Sequence, residues 1–454
     1  MSIPFVKFCK HNFFNFFLLF FAKYNLILSM NVISEKVSNG LKGCIEIPSD
    51  KSISHRAVML SSLAVGETLI TNFSRGADCH STLNIIEQLG CDVKIIDEKT
   101  LKIKSKGIFC EPQKPLDCGN SGTTMRLISG ILAGQKFDSI LIGDESLQKR
   151  PMRRIIEPLE FMGAKIRHSE YKAPLKIEGT SLQAVDYKSK LSSAQVKSCV
   201  LLAGLNADGT TVFTEPYKSR NHTELMLEYL GANIKVEGNA VSIRKSLLEA
   251  KDINVAGDIS SAAFFMVAGS IVPNSKIIIK NVGMNETRTG ILDVLIKMGA
   301  NIEILDKQCF AGEDVGDILV QYSQLNGIEI SGEVIPRLID ELPVIAVLAT
   351  QANGKTIVKD AQDLRNKEAD RISCLVKELR KIGVEIEETQ DGFIIEGKQK
   401  IKGDAQCECY HDHRLAMSLY VAGMVVQKPI QINEFQWVDI SFPEFLELTN
   451  KLKS

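Results

Sequence analysis

KMGANIEI, residues 297–304, holds a helix end, a turning glycine and the start of a strand in eight residues. Ahead of Gly299, the apolar residues Ile291, Leu292, Leu295 and Ile296 fall at helical spacing. A glycine suits the left-handed position just past a helix C-terminus. The same junction recurs as QLGCDVKI (88–95), FMGAKIRH (161–168), YLGANIKV (229–236) and KIGVEIEE (381–388). The glycines stand at 90, 163, 231, 299 and 383, which are 73, 68, 68 and 84 residues apart. Several of the strands run on into a turn and a second strand, as at Asp391-Gly392 before Phe393–Glu396.

A second set of helices aligns independently, with starts near Ser52, Thr123, Ser193, Ser260, Leu338 and His413. These imply six βαβ-like units of about 70 residues, too long for a solenoid repeat and suited to a pseudo-symmetric α/β architecture. The sixth unit lacks the glycine junction and is expected to end in a helix over Phe442–Leu452. Its missing strand is expected from the N-terminal segment Gly43–Ile47, which interleaves the chain ends. Three units per lobe put the seam near Pro48–Ser52 and again near Gly257-Asp258. The expected domains are residues 30–49 plus 258–454, and residues 50–257.

The 454 residues suit two or three domains. With 44% hydrophobic and 24% charged residues, a largely disordered chain is excluded. Lys+Arg total 54 and Asp+Glu 55, so the net charge of −1 argues against nucleic-acid binding by bulk electrostatics. Any anion specificity must come from local clusters. The 11 cysteines are odd in number and lack a disulfide-framework spacing, which fits reduced thiols in the cytoplasm. The run FFNFFLLFF (13–21) is too short to span a bilayer, and no small-residue cleavage site follows it. Residues 1–29 are read as an extension upstream of a start at Met30 and are set aside from the fold.

The starts of the second helices are chemically unusual: SDKSISHR (49–56), GNSGTTMR (119–126), SSAQ (192–195), GDISS (257–261), PRLIDELP (336–343) and HDHR (411–414). Polar caps and glycines are ordinary at any one helix start. Six of them pointed into one cleft make an anion site from free N–H groups and helix dipoles. Lys51, Arg56, Arg126, Arg150, Arg220, Lys367, Arg371 and Arg414 lie at or beside those ends. Arg forks suit phosphate and carboxylate, although a lone Arg is more often a surface ion-pair partner. Two carboxylates stand among the cations, Asp340 within an apolar stretch and Glu368 in LRNKEADR. Each suits either a structural ion pair or a general acid or base. Ser192, Ser193 and Gln195 suit hydroxyl or phosphate binding. Asn120–Thr123 is no P-loop, because no Gly-Lys-Ser/Thr follows at the required spacing. Cys407, Cys409, His411 and His413 are too closely spaced for an ordinary zinc site, and no metal is expected.

The motifs SDKSISHRA, GNSGTTMRL, GDESLQKRPM, SSAQVKS, PRLIDELP, RNKEADR and HDHRLAMS, in this order, resemble the 5-enolpyruvylshikimate-3-phosphate synthase (3-phosphoshikimate 1-carboxyvinyltransferase) family. The likeness runs from about residue 35 to the C-terminus and is nearer the bacterial subgroup with GNSGTT and SSAQVKS. It implies a two-domain inside-out α/β barrel of six βαβαββ units, three per domain. It implies transfer of the enolpyruvyl group of phosphoenolpyruvate to the 5-hydroxyl of 3-phosphoshikimate, without metal or organic cofactor. By the same resemblance Asp340 takes the hydroxyl proton, and Glu368 handles the methyl/methylene proton with Lys51 assisting. Arg150, Arg371 and Arg414 hold phosphoenolpyruvate, with Asn120, Gly122 and Thr123 beside it. Ser52, Arg56, Ser193, Gln195, Arg220 and Lys367 hold 3-phosphoshikimate or bridge the substrates.

The chain departs from the pattern in places. Ala194 stands at the second Ser of the usual Ser-Ser-Gln, leaving only a backbone contact. Ile440 stands where the enteric type has Lys, and Leu127 where it has Pro. Gly122 is retained, so glyphosate is expected to inhibit with reduced potency. The alternatives are a UDP-N-acetylglucosamine enolpyruvyl transferase, whose reactive loop cysteine Cys118 matches poorly, and a non-catalytic phosphometabolite-binding protein. The expected state is a cytoplasmic monomer that binds neither nucleic acid nor membrane.

Overall fold

The five junction glycines all adopt positive φ, +96° at Gly90, +93° at Gly163, +88° at Gly231, +89° at Gly299 and +93° at Gly383. A side chain is strained there, so the helix–glycine–strand reading holds at each of them. The computed structural model describes residues 30–453, so the Phe13–Phe21 run lies outside the described residues.

The second unit shows the plan, which the sixth repeats without the hairpin. Leu116–Asp117 runs parallel to Ser139–Ile142. The helix Gly122–Ala133 connects them. A second helix, Arg153–Phe161, then leads to the hairpin Lys165–Ser169 and Lys172–Glu178, whose last strand pairs antiparallel with Ser139–Ile142. Parallel pairing needs a crossover, and the intervening helix supplies it. Six such sheets form, with three to five strands each.

The first helix of every unit lies inward. Ile259–Ile271 is buried along its whole length, and so is Leu342–Thr350. A helix apolar all round belongs at the centre of a protein rather than on its surface. These two pack on each other and on His413–Gly423. Lys51–Leu63, Gly122–Ala133 and Ala194–Gly204 fill the other centre. Helices inside and sheets outside make the inside-out barrel. Two apolar clusters result. One joins Leu41, Ile45 and Ile47 to residues 259–452, and the other runs from Ile53 to Ala256 with Val315 added.

The chain crosses between the clusters twice, side by side. The Asp50 amide donates to the Ala256 carbonyl at 2.7 Å, and the Asp258 amide to the Pro48 carbonyl at 2.8 Å. The termini interleave, but not as the sequence suggested. The segment expected as Gly43–Ile47 in the sixth unit forms the strand Lys42–Glu46, parallel to Lys276–Lys280 of the fourth unit. Each unit needs a leading parallel strand, and the fourth has none of its own before Ile259–Ile271. The sixth sheet is completed by Val32–Ser34, antiparallel to Ile430–Ile432. The final helix covers Phe445–Lys453, after a 3₁₀ stretch at Phe435–Ile440.

Candidate active site

Side-chain caps fix four of the inner helix starts. Asp50 accepts from the Ile53 amide, Ser121 from Thr124, Asp258 from Ser260, and Asp412 from both Arg414 and Leu415. Ser193 precedes its helix without such a bond. The fifth start is split. Ile335–Leu338 and Leu342–Thr350 are separate helical pieces, each with a proline in its first turn. Pro343 cannot donate to a preceding helical carbonyl, so the helix restarts there. Asp340 sits in the break.

That break puts Asp340 at the centre of a cationic cluster. Its carboxylate receives Arg220 Nη2 at 2.5 Å, Lys367 Nζ at 3.2 Å and Arg371 Nη1 at 3.3 Å. Arg414 Nη1 reaches its backbone carbonyl at 3.3 Å. Burial alone would raise the Asp340 pKa, but Lys367, Arg414, Arg220 and Arg371 overcome it and hold the carboxyl well below its usual range. Arg371 is fully buried and also binds Glu368 and Asp412, each at 2.7 Å. Burial pushes the Glu368 pKa up, yet Arg371, His413 and Lys367 bring it below the ordinary value.

Across the seam Lys51 Nζ pairs with Asp78 Oδ2 at 2.5 Å. Burial lowers the Lys51 pKa, but Asp78, Cys79 and Glu368 raise it overall, so the ammonium stays charged at neutral pH. A charged ammonium thus shares the field of Glu368.

The third group surrounds the start of Gly122–Ala133. Arg126 Nη1 donates to Gln195 Oε1 at 2.7 Å, and Gln195 Nε2 donates to Thr123 Oγ1 at 3.1 Å. Arg150 Nη2 donates to Asn120 Oδ1 at 2.8 Å. A Cβ on Gly122 would lie 2.9 Å from Arg126 Nη1 and 3.4 Å from Arg150 Nη1. Burial, with Arg150 and Arg154 nearby, lowers the Arg126 pKa to about 10. Clustered cations at a helix N-terminus make a strong anion cradle.

Arg56 is less open than the other cations. Its guanidinium is buried and donates to Thr223 Oγ1, Ser198 Oγ and the Ser52 carbonyl. It ties the Lys51 helix to the chain on either side of Arg220. Ser192 Oγ accepts from the Tyr217 amide, which leaves Ser193 as the less engaged of the pair. Asp78 and Asp412 carry no motif of their own as functional residues. Asp78 was missed because its pairing with Lys51 is long-range, while Asp412 reads as a simple cap in HDHR. Ile440 lies with its carbonyl beside Gly76 of the other lobe. The cation adjoining that point is Arg75, bound to Glu98 and Glu444.

The Cys407–His413 group does not converge. Cys407 and Cys409 are buried, and burial pushes their thiols up to about 12 and about 11. His411 lies tilted against Trp437 with ring centroids 4.5 Å apart. His413 shares the field of Glu368 and Arg371, and burial together with Arg414 lowers it to about 4. Cys118 is fully buried, and burial raises its thiol pKa, which does not suit a reactive loop cysteine.

A family model described as EPSP synthase (3-phosphoshikimate 1-carboxyvinyltransferase) matches residues 36–448. The 3-phosphoshikimate 1-carboxyvinyltransferase of Bacillus subtilis is 51% identical over 417 residues, covering 91% of this chain and 97% of that relative. The one from Petrotoga mobilis is 50% identical over 418 residues, covering 90% and 96%. Among solved structures, EPSP synthase from Acinetobacter baumannii superposes with a TM-score of 0.86 at 40% identity, over 93% of this chain and 98% of that one. The enolpyruvyl transferase NikO from Streptomyces tendae shares the fold, with a TM-score of 0.76 at 16% identity over 93% and 97%.

Proposed function

The chain belongs to the EPSP synthase (3-phosphoshikimate 1-carboxyvinyltransferase) family, and we propose a division of labour among its residues for the reaction it catalyses. That reaction moves the enolpyruvyl group of phosphoenolpyruvate to the 5-hydroxyl of 3-phosphoshikimate and releases phosphate, a step of the shikimate pathway toward chorismate.

Arg150, Arg371 and Arg414 hold the phosphate and carboxylate of phosphoenolpyruvate, with Asn120, Thr123 and the bare backbone of Gly122 closing on it. Ser52, Arg56, Ser193, the Ala194 backbone, Gln195, Arg220 and Lys367 hold 3-phosphoshikimate or bridge the two. Protonation of C3 makes C2 electrophilic. The 5-hydroxyl attacks C2 as Asp340 takes its proton. The tetrahedral adduct then loses phosphate as a proton leaves the methyl group. Glu368 handles the C3 proton, supplied on its side by the charged Lys51. Two polyanions repel one another, and the cations offset that repulsion. Positioning and preorganised charge supply most of the rate. The observation that carries this reading is the Asp340 carboxylate, held by Arg220 from one lobe and by Lys367 and Arg371 from the other.

The lobes are taken as residues 30–49 plus 258–454, and residues 50–257; the two apolar clusters support that division. The protein is read as a cytoplasmic monomer that glyphosate inhibits by competing with phosphoenolpyruvate. The cysteines of the described residues are all free thiols, which suits a reducing compartment. No helix among the described residues is long and apolar enough to cross a membrane.

The test is phosphate release by protein starting at Met30, with phosphoenolpyruvate plus 3-phosphoshikimate and then with phosphoenolpyruvate plus UDP-N-acetylglucosamine. Release with the first pair alone, lost in Asp340→Ala and Glu368→Gln, is the expected result. Full activity in either variant would overturn the acid–base assignment.

A further inference from the structure

The two chain crossings create an electrostatic problem. Asp50 and Asp258 are the caps of the two helices that leave the crossings, and both are largely buried. Each is needed as an acceptor for its own helix. Burial raises the Asp258 pKa, and the neighbouring Asp50 charge raises it further. Two carboxylates brought together in a poorly hydrated place need a shared cation.

Arg288 is that cation. It lies on the loop between Lys276–Gly283 and Gly290–Lys297, and its side chain is 3% exposed. Nη1 reaches Asp50 Oδ2 at 3.4 Å, and Nη2 reaches Asp258 Oδ1 at 3.2 Å and Ser260 Oγ at 2.6 Å. Ser260 passes the contact on by donating to Glu341 Oε1. Asp50 is the residue before Lys51, and Glu341 is the residue after Asp340. The guanidinium therefore touches, at one remove, the backbone on both sides of the site. Its Nε is buried without a partner, so the side chain keeps this place for the sake of its other donors.

We propose that Arg288 is a positioning residue that neutralises the paired caps Asp50 and Asp258 at the crossing and so holds Lys51 in register with Asp340 and Glu368. It touches no substrate in this reading. The inference rests on the roles given above to Lys51, Asp340 and Glu368.

The test compares Arg288→Met, Arg288→Met/Asp258→Asn and Lys51→Met in the full chain. An asparagine still caps a helix but carries no charge. Arg288→Met is expected to lower kcat 10- to 100-fold, while the Kd for 3-phosphoshikimate alone changes less than threefold. Adding Asp258→Asn is expected to restore kcat at least threefold, which a loss of packing alone would not allow. Should Arg288→Met fail to fold, Arg288→Lys with and without Asp258→Asn replaces it, since one ammonium cannot bridge both caps as a fork does. The Lys variant is then expected to lose kcat and the added Asn to restore it. A folded Arg288 variant with kcat within threefold of the parent overturns the proposal. So does parallel loss of kcat and 3-phosphoshikimate affinity without recovery by Asn. If Lys51→Met keeps its turnover, the site reading itself fails and this inference falls with it. If Lys51→Met is inactive and the Arg288 variants are not, only the inference fails.

Discussion

Arg220 and Asp340 come from opposite lobes and meet at 2.5 Å, joined on the same carboxylate by Lys367. One acidic group thus senses both halves of the molecule. On the proposed reading, a hydroxyl entering between Arg220 and Asp340 would meet a base whose proton affinity depends on how many of those cations the substrate's phosphate draws away. Asp340→Asn keeps the shape and removes the proposed base. Its kcat is expected to fall 10²- to 10⁴-fold, the usual worth of a positioned general base. Steady-state phosphate release with both substrates saturating checks this, and a loss under tenfold would point to another base.

Gly122 offers a narrower probe. A methyl group there would press on Arg126 and Arg150 at the ends of flexible side chains rather than on backbone. Gly122→Ala is therefore expected to fold normally and to raise the KM for phosphoenolpyruvate roughly tenfold, about 1.4 kcal/mol of binding. Glyphosate inhibition should weaken at least as much. An unchanged KM would place phosphoenolpyruvate away from this helix start.

Arg371 is a structural keystone as well as a ligand-binding candidate. It is 1% exposed and bound to Asp412, which is fully buried, as well as to Glu368 and Asp340. Removing one partner of such a cluster strands the others. Arg371→Met should lose about 3–5 kcal/mol of stability, the usual cost of an uncompensated buried charge. Urea unfolding of the free protein reports it, apart from any effect on turnover.

His55 makes stability depend on pH. It is wholly buried, with Nδ1 bonded to Thr82 and Nε2 without a partner. Burial, with Lys51 and Arg56 nearby, lowers its pKa from 6.5 to about 3. The unfolded chain binds the extra proton between those values. The stabilisation is complete above pH 6.5 and is lost as pH falls toward 3. At pH 5 the loss is about 2 kcal/mol. His413, lowered to about 4, acts in the same direction. His55→Gln should flatten the fall in urea midpoint between pH 7 and pH 5. An unaltered slope would mean that His55 is already charged in the folded protein.

The repeats were legible because local chemistry writes them. A left-handed glycine after each helix is required wherever the chain turns into the strand, and Gly90, Gly163, Gly231, Gly299 and Gly383 each meet that need. Helix starts were legible for the same reason, since Asp50, Ser121, Asp258 and Asp412 cap locally. Long-range pairing was not. Nothing in Lys42–Glu46 tells which of two sheets it joins, because a parallel partner 234 residues away leaves no periodic trace. Likewise Lys51 announces itself in SDKS, whereas Asp78 acquires meaning only once the two helices pack. The break at Asp340 could be read from Pro343, yet two of the four cations around it come from other units, Arg220 from the third and Arg414 from the sixth.

The interleaving of the ends bears on how the protein is made. Residues 50–257 contain every strand of their own sheets, including Leu248–Glu249 and Ile253–Asn254 alongside Ala64–Thr71. They can close on themselves while the ribosome is still at work. Val32–Ser34 is made nearly 400 residues before its partner Ile430–Ile432. Through most of translation Val32–Ser34 therefore waits without its strand partner, and an unpaired strand is a template for other strands. A chain stopped short of Ile430 would leave Val32–Ser34 without that partner.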